Sequence, residues 1–115
     1  MKYRRGDVVL VLFPDSNLRT AKRRPALVVQ ADDLQTGLPQ TIVAMITSNP
    51  ARLGHPSRVG ILSATPAGKK SGLKSDSVVM TDNLATVFTN EIDRAIGSWG
   101  DMRPVDAALR STLNL

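Results

Sequence analysis

Two short segments set cationic or hydroxyl groups at the ends of apolar runs: Lys22-Arg23-Arg24-Pro25-Ala26-Leu27-Val28-Val29 and Ile42-Val43-Ala44-Met45-Ile46-Thr47-Ser48-Asn49. Arg24 offers several donors in a planar fork that matches phosphate oxygens, and Pro25 stiffens the backbone beside it. Thr47 and Ser48 leave the second run with hydroxyl and backbone donors. Brought together, these groups would grip a phosphate. Arginine keeps its proton in almost any environment, so it stabilises charge but makes a poor base. Asp82 is the more suitable carboxylate for accepting a proton. Each residue also has a structural use. Arg24 could pair with Asp7 or Asp32 on the surface, Thr47 and Ser48 could bond their own turn, and Asp82-Asn83 could be a turn between strands.

A phosphate-gripping pair fits the charge balance. The chain of 115 residues carries a net charge of +5. Residues 1 to 58 hold nine Lys/Arg against four Asp/Glu, whereas residues 59 to 115 hold six against six, so the excess lies in the first half. Such asymmetry favours a polyanionic partner through phosphate neutralisation and counterion release. No cysteine is present, which excludes disulfides and thiolate metal sites and suits a reducing compartment. His55 is the only histidine and sits in a Gly-His-Pro loop that points it at solvent. Asp32-Asp33 and Asp76 are scattered among turns, so neither a metal nor a cofactor is expected.

The elements that must position these residues are mostly strands. A length of 115 residues supports one domain, residues 1 to 115, with one core. Only four aromatics occur, so that core is aliphatic and suits sheet. Asp7 to Phe13 is a continuous apolar strand ended by Pro14. A basic, irregular loop over Asp15 to Arg23 leads to a strand from Arg24 or Pro25 to about Gln30, and a Gly/Pro-rich turn covers Asp32 to Pro39. Further strands fit Thr41 to Thr47, Arg58 to Leu62, Ser77 to Thr81 and Asn83 to Phe88. Thr89 or Asn90 caps a short helical turn through Arg94. Asp101 caps a final helix whose Met102, Val105, Leu109 and Leu113 recur at helical spacing, with Pro104 tolerated in its first turn. Five or six short strands without a long intervening helix imply a mainly β fold, a small, curved antiparallel barrel with a C-terminal helix. The apolar run Val8 to Phe13 is too short for a signal core or membrane span.

Four pieces in series carry a resemblance: Arg5-Gly6-Asp7-Val8-Val9, Arg24-Pro25-Ala26-Leu27-Val28-Val29, Ile46-Thr47-Ser48, and the block from Ser71-Gly72-Leu73-Lys74-Ser75-Asp76-Ser77 through Val87. Over nearly the whole chain this order resembles the MazF/PemK family of toxin endoribonucleases. The resemblance implies an SH3-like barrel, a homodimer, and cleavage of single-stranded RNA such as mRNA without metal in the cytoplasm, with an acidic antitoxin as inhibitor. It carries onto Arg24 and Thr47 as the central pair, with Ser48 beside them. In some relatives a carboxylate two residues after an arginine accepts a proton. Asp82 matches that carboxylate, but Met80 stands in the arginine's place, and the first loop lacks the histidine that some relatives carry.

Under this resemblance Arg19, Lys22 and Arg23 suit an RNA backbone, and Asn17, Asn49 and Asn83 offer hydrogen-bonding edges to bases. Two other functions compete. A gyrase-inhibiting toxin of the CcdB type shares the barrel and ends in a Trp-Gly pair, which here is Trp99-Gly100, ahead of the final helix. A non-catalytic SH3-like nucleic-acid-binding module would keep the basic face without needing Arg24 and Thr47 together.

Overall fold

The computed structural model describes residues 3–14, 17 and 19–115. The elements run β1 (Asp7–Pro14), β2 (Ala21–Val28), β3 (Gln40–Thr47), β4 (Arg58–Ile61), α1 (Pro66–Lys70), β5 (Ser77–Phe88), a 3-10 turn (Thr89–Glu91), β6 (Ile92–Ser98) and α2 (Arg103–Leu113). One sheet holds all six strands in the order β4-β5-β3-β2-β1-β6, with every neighbouring pair antiparallel.

That order forces the sheet to curl. β5 and β6 have three strands between them, which in a flat sheet would set them about 19 Å apart. The link from Phe88 to Ile92 spans at most about 14 Å when fully extended. The sheet therefore rolls so that Val87 and Ile92 meet in one core with Tyr3, Val9, Val11, Ala26, Val28, Val43 and Met45. The opposite face carries Val8, Leu27, Ala44, Ile46, Val59, Ile61 and Val79, covered by Val105 and Ala108 of α2. Alternate residues of β1 point to opposite faces, and Val8 and Val9 are both fully buried. This is why β1 reads as an unbroken apolar run.

Several elements differ from the sequence expectation. β2 begins at Ala21, because Ala21, Lys22 and Arg23 pair with Pro14, Phe13 and Leu12. The helical turn expected through Arg94 closes at Glu91, whose Oε1 accepts the Phe88 N–H at 2.7 Å. The chain from Ile92 onward is strand because it pairs along β1, beginning with Ile92 opposite Val11. The two segments expected over 77–88 are one strand interrupted by a bulge. Met45 opposes Met80 while Ala44 opposes Leu84, which throws Thr81, Asp82 and Asn83 out of the ladder.

Helix α1 was not expected. Thr65 caps it, with Oγ1 accepting the Gly68 N–H at 3.0 Å, and Pro66 follows in the first turn. In α2 the capping position is Met102 rather than Asp101, although the Asp101 carboxylate still accepts the Arg103 N–H at 3.2 Å. The apolar stripe runs off the sheet at its end, where Leu113 is 50% exposed.

Candidate active site

β2 and β3 pair with Ala26 opposite Met45 and Leu27 opposite Ala44. Continued two residues past Ala26, this register sets Arg24 opposite Thr47. Both residues share the strand face of Ala26 and Met45, since side chains alternate with period two. The ladder has ended there, and the strand ends open into a cleft of about 330 Å3. Its wall is made by Arg23, Arg24, Pro25, Ile46, Thr47 and Ser48 from the β2 and β3 ends, with Leu73, Lys74, Ser75 and Ser77 from the segment entering β5.

Among the described residues the wall holds three cations and no carboxylate. Neither carboxylate considered for Arg24 in the sequence is engaged with it. Asp7 accepts the Arg4 N–H at 2.9 Å and Asp32 accepts the Arg5 N–H at 2.7 Å. Arg24 is exposed, and among the described residues no hydrogen bond or ion pair holds its guanidinium. Arg23 differs, because Asp93 takes its Nε at 3.1 Å and also accepts from Arg94 at 2.8 Å. Thr47 Oγ1 accepts the Asn49 N–H at 3.1 Å, which fixes the hydroxyl oxygen and leaves its proton to donate outward. Such a site can hold one phosphodiester by charge and by hydroxyl donation. Two larger hollows, of about 500 and 470 Å3, lie around the 31–39 loop and Phe88 at the opposite end of β3. Neither is lined by Arg or Lys, so neither matches a phosphate.

The structure does not bring Asp82 to this cleft. The β5 bulge carries it away, and Arg58 of β4 takes the carboxylate. Arg58 Nη2 donates to Oδ2 at 3.1 Å, while Nε lies 2.9 Å from Oδ1 without the alignment of a hydrogen bond. The hydrogen bond from Arg58, aided by its charge, holds the Asp82 carboxyl below its ordinary value of 3.8 against a smaller opposing effect of burial. Sequence reading passed over Arg58, although register makes it the direct partner of Met80. A guanidinium therefore reaches Asp82 from the neighbouring strand rather than from position 80, which Met80 occupies. His55 is exposed as expected, but its Nδ1 accepts the Ser57 N–H at 3.1 Å and lies 2.7 Å from Ser57 Oγ.

Of the residues assigned to RNA binding, Arg23 alone reaches the cleft wall. Asn17 organises its own turn, its Oδ1 accepting from Arg19 N at 2.9 Å and Thr20 N at 3.3 Å. Asn49 does likewise, accepting from Ala51 N at 3.0 Å. Arg19, Lys22 and Asn83 are exposed and lie off the cleft. Lys74, Ser75 and Ser77 were missed as site residues, although they stand inside the block quoted for the family resemblance. Trp99 joins β6 to α2, its N–H donating to Gly6 O at 2.7 Å, and packs against the α2-side core, so it is part of the scaffold. Among the described residues, no group of three or more His, Cys, Asp or Glu could hold a metal ion, and no helix is long and apolar enough to cross a membrane.

A model of the PemK-like, MazF-like toxins of type II toxin-antitoxin systems matches residues 4–113. The chain is 35% identical over 107 residues to endoribonuclease MazF6 of Mycobacterium tuberculosis, covering 90% of each chain. It is 31% identical over 118 residues to endoribonuclease EndoA of Bacillus subtilis, covering 100% of this chain and 97% of the other. Its fold matches a mycobacterial endoribonuclease solved in complex with its cognate antitoxin, with a TM-score of 0.73 at 21% identity over 98% of this chain and 96% of that one.

Proposed function

The chain belongs to the family of PemK-like, MazF-like toxins of type II toxin-antitoxin systems, and from that premise we propose that it is a toxin endoribonuclease that cuts single-stranded RNA, mRNA included, at a phosphodiester seated between Arg24 and Thr47. The supporting observation is the Arg24 guanidinium, partnerless among the described residues, which the continued register sets opposite Thr47 in a cleft whose described wall has no carboxylate.

In this mechanism the 2'-hydroxyl attacks its own phosphorus in line. A new bond from O2' to phosphorus forms as the bond to the 5'-oxygen breaks, leaving a 2',3'-cyclic phosphate and a 5'-hydroxyl. The hydroxyl proton passes to solvent and the 5'-oxygen takes one up. Negative charge grows on the non-bridging oxygens, where Arg24 and the Thr47 hydroxyl donate, with Ser48 beside them. Asp82 is assigned to holding Arg58 rather than to proton transfer. A proton acceptor works best with a pKa near the operating pH, whereas the arginine lowers that of Asp82.

The active form is a homodimer in the cytoplasm. Its inhibitor is an antitoxin whose acidic, extended segment lies over the basic cleft and competes with RNA for the same charges. Purified protein incubated with a long single-stranded RNA in EDTA is expected to cut it at a short recurring motif. Cutting that EDTA abolishes and magnesium restores would refute the metal-free chemistry.

A further inference from the structure

We infer that Lys74 binds the phosphate next to the one that is cut, so that the cleft grips two consecutive phosphates of the strand; this rests on the RNA-cleaving function proposed above. One phosphodiester carries one negative charge, which Arg24 neutralises. Arg23, the second cation on the wall, is already committed to Asp93. Among the described residues Lys74 is the remaining cation there, exposed and without an ion pair or hydrogen bond of its side chain. The next phosphate along the chain supplies the matching charge.

The neighbouring carboxylate is turned away from it. Asp76, two residues on, accepts from the Ser63 N–H at 2.9 Å and from Ser63 Oγ at 3.0 Å, which spends its charge on the far side of the segment. Ser77 Oγ donates to Ser75 O at 2.9 Å and stiffens the stretch that follows Lys74.

The segment before Lys74 is locked to the sheet by two glycines. Gly72 has φ +77, and a Cβ there would stand 2.1 Å from Ile96 O. A Cβ on Gly97 would stand 2.2 Å from Lys70 O. Backbone therefore meets backbone from both sides, an approach that only glycine permits. Ser71 is fully buried, its Oγ accepts the Leu73 N–H at 3.2 Å, and Leu73 packs against the α2-side core. Lys74 emerges from an anchored stem rather than a slack loop, so the backbone that presents it at the cleft rim needs little ordering on binding.

The test is binding as a function of salt, using an RNA oligonucleotide that spans a mapped cut and carries a 2'-deoxy nucleotide at the cut position, so that it binds without being cleaved. Lys74→Ala is expected to lower the slope of log affinity against log salt by about 0.7, the value for one phosphate contact on a single strand. On cleavable RNA it is expected to raise KM several-fold with a much smaller change in kcat, and Lys74→Arg is expected to restore both. Lys69→Ala removes an exposed cation outside the cleft and is expected to leave the slope near that of the wild type. Cleavage intact with an unchanged slope in Lys74→Ala, or an equal loss in Lys69→Ala, would overturn the assignment of Lys74 while leaving the ribonuclease standing. Failure of the wild type to cut RNA at all would overturn both.

Discussion

Among the described residues Arg24 has no ion-pair partner, whereas Arg5, Arg23, Arg58, Arg94 and Arg103 each meet a carboxylate, and it differs from the other unpaired arginines in standing on the cleft wall. An exposed guanidinium just past the end of the β2–β3 ladder, on one cleft wall with a hydroxyl whose oxygen is already bonded, is prepared for an anion. Arg24→Ala is expected to lower kcat by roughly 100- to 1000-fold, the range for losing one donor to a developing oxyanion. A kcat within about threefold of wild type would place the reacting phosphate elsewhere.

Asp82 supports a prediction about stability instead. Its folded pKa is depressed below 3.8 by Arg58, so its contribution is complete above the unfolded value and is lost as pH falls through the folded one. At 41% exposure the pair contributes less than about 1 kcal/mol after solvent screening. Asp82→Asn is therefore expected to remove a small part of the acid-side loss of stability below about pH 4, and to lower kcat far less than Arg24→Ala does. A loss of activity equal to that of Arg24→Ala would restore Asp82 as a proton carrier. The residue types of Arg24, Thr47 and Ser48 suggested phosphate ligands in the sequence, and the structure lines one cleft with all three. The pairing of Asp82 was not, because it depends on Arg58 arriving across a strand pair that no local pattern reveals.

Secondary elements decide which of these residues meet. The β2–β3 ladder stops at Ala26 and Met45, and Arg24 and Thr47 both line the cleft beyond it, while the strand character of both elements was plain from continuous β-branched and aliphatic runs. β6 was misread for a physical reason. Thr89, Asn90 and Glu91 carry capping chemistry, and Ile92 to Ser98 has weak strand character, so only its pairing with β1 decides the outcome. Helix α1 is five residues long, and its one local signal is Thr65-Pro66, too brief for a periodicity to register. The approach of residues 70 to 72 to Ile96 and Gly97 likewise joins residues far apart in sequence, which explains why Lys74 went unrecognised. Gly97→Ala is expected to destabilise the fold by about 2 kcal/mol through backbone overlap, seen as a lower Tm. An unchanged Tm would show that the α1–β5 connection is not held there.

At the scale of the molecule, the curl of the sheet and the charge asymmetry act together. The three-residue turn between β5 and β6 rolls six strands around an aliphatic core, and Arg23 and Arg24 from the more basic first half stand on the cleft wall with Lys74. Composition and strand count were enough to anticipate a small curved β fold, while the strand order that produces the curl required the structure. A surface of this kind binds anions broadly before it selects a sequence. An acidic peptide is therefore expected to inhibit RNA cleavage competitively, raising KM and losing potency as salt rises. Inhibition that lowers kcat at constant KM and ignores salt would place the acidic partner away from the cleft.

The most direct measurement is the chemical identity of the RNA ends after cleavage in EDTA by the wild type and by Arg24→Ala. A 2',3'-cyclic phosphate facing a 5'-hydroxyl, produced by the wild type and nearly absent with the variant, is the predicted result. Ends carrying a 5'-phosphate, or cyclic ends formed equally by both proteins, would contradict the role given to Arg24 and Thr47.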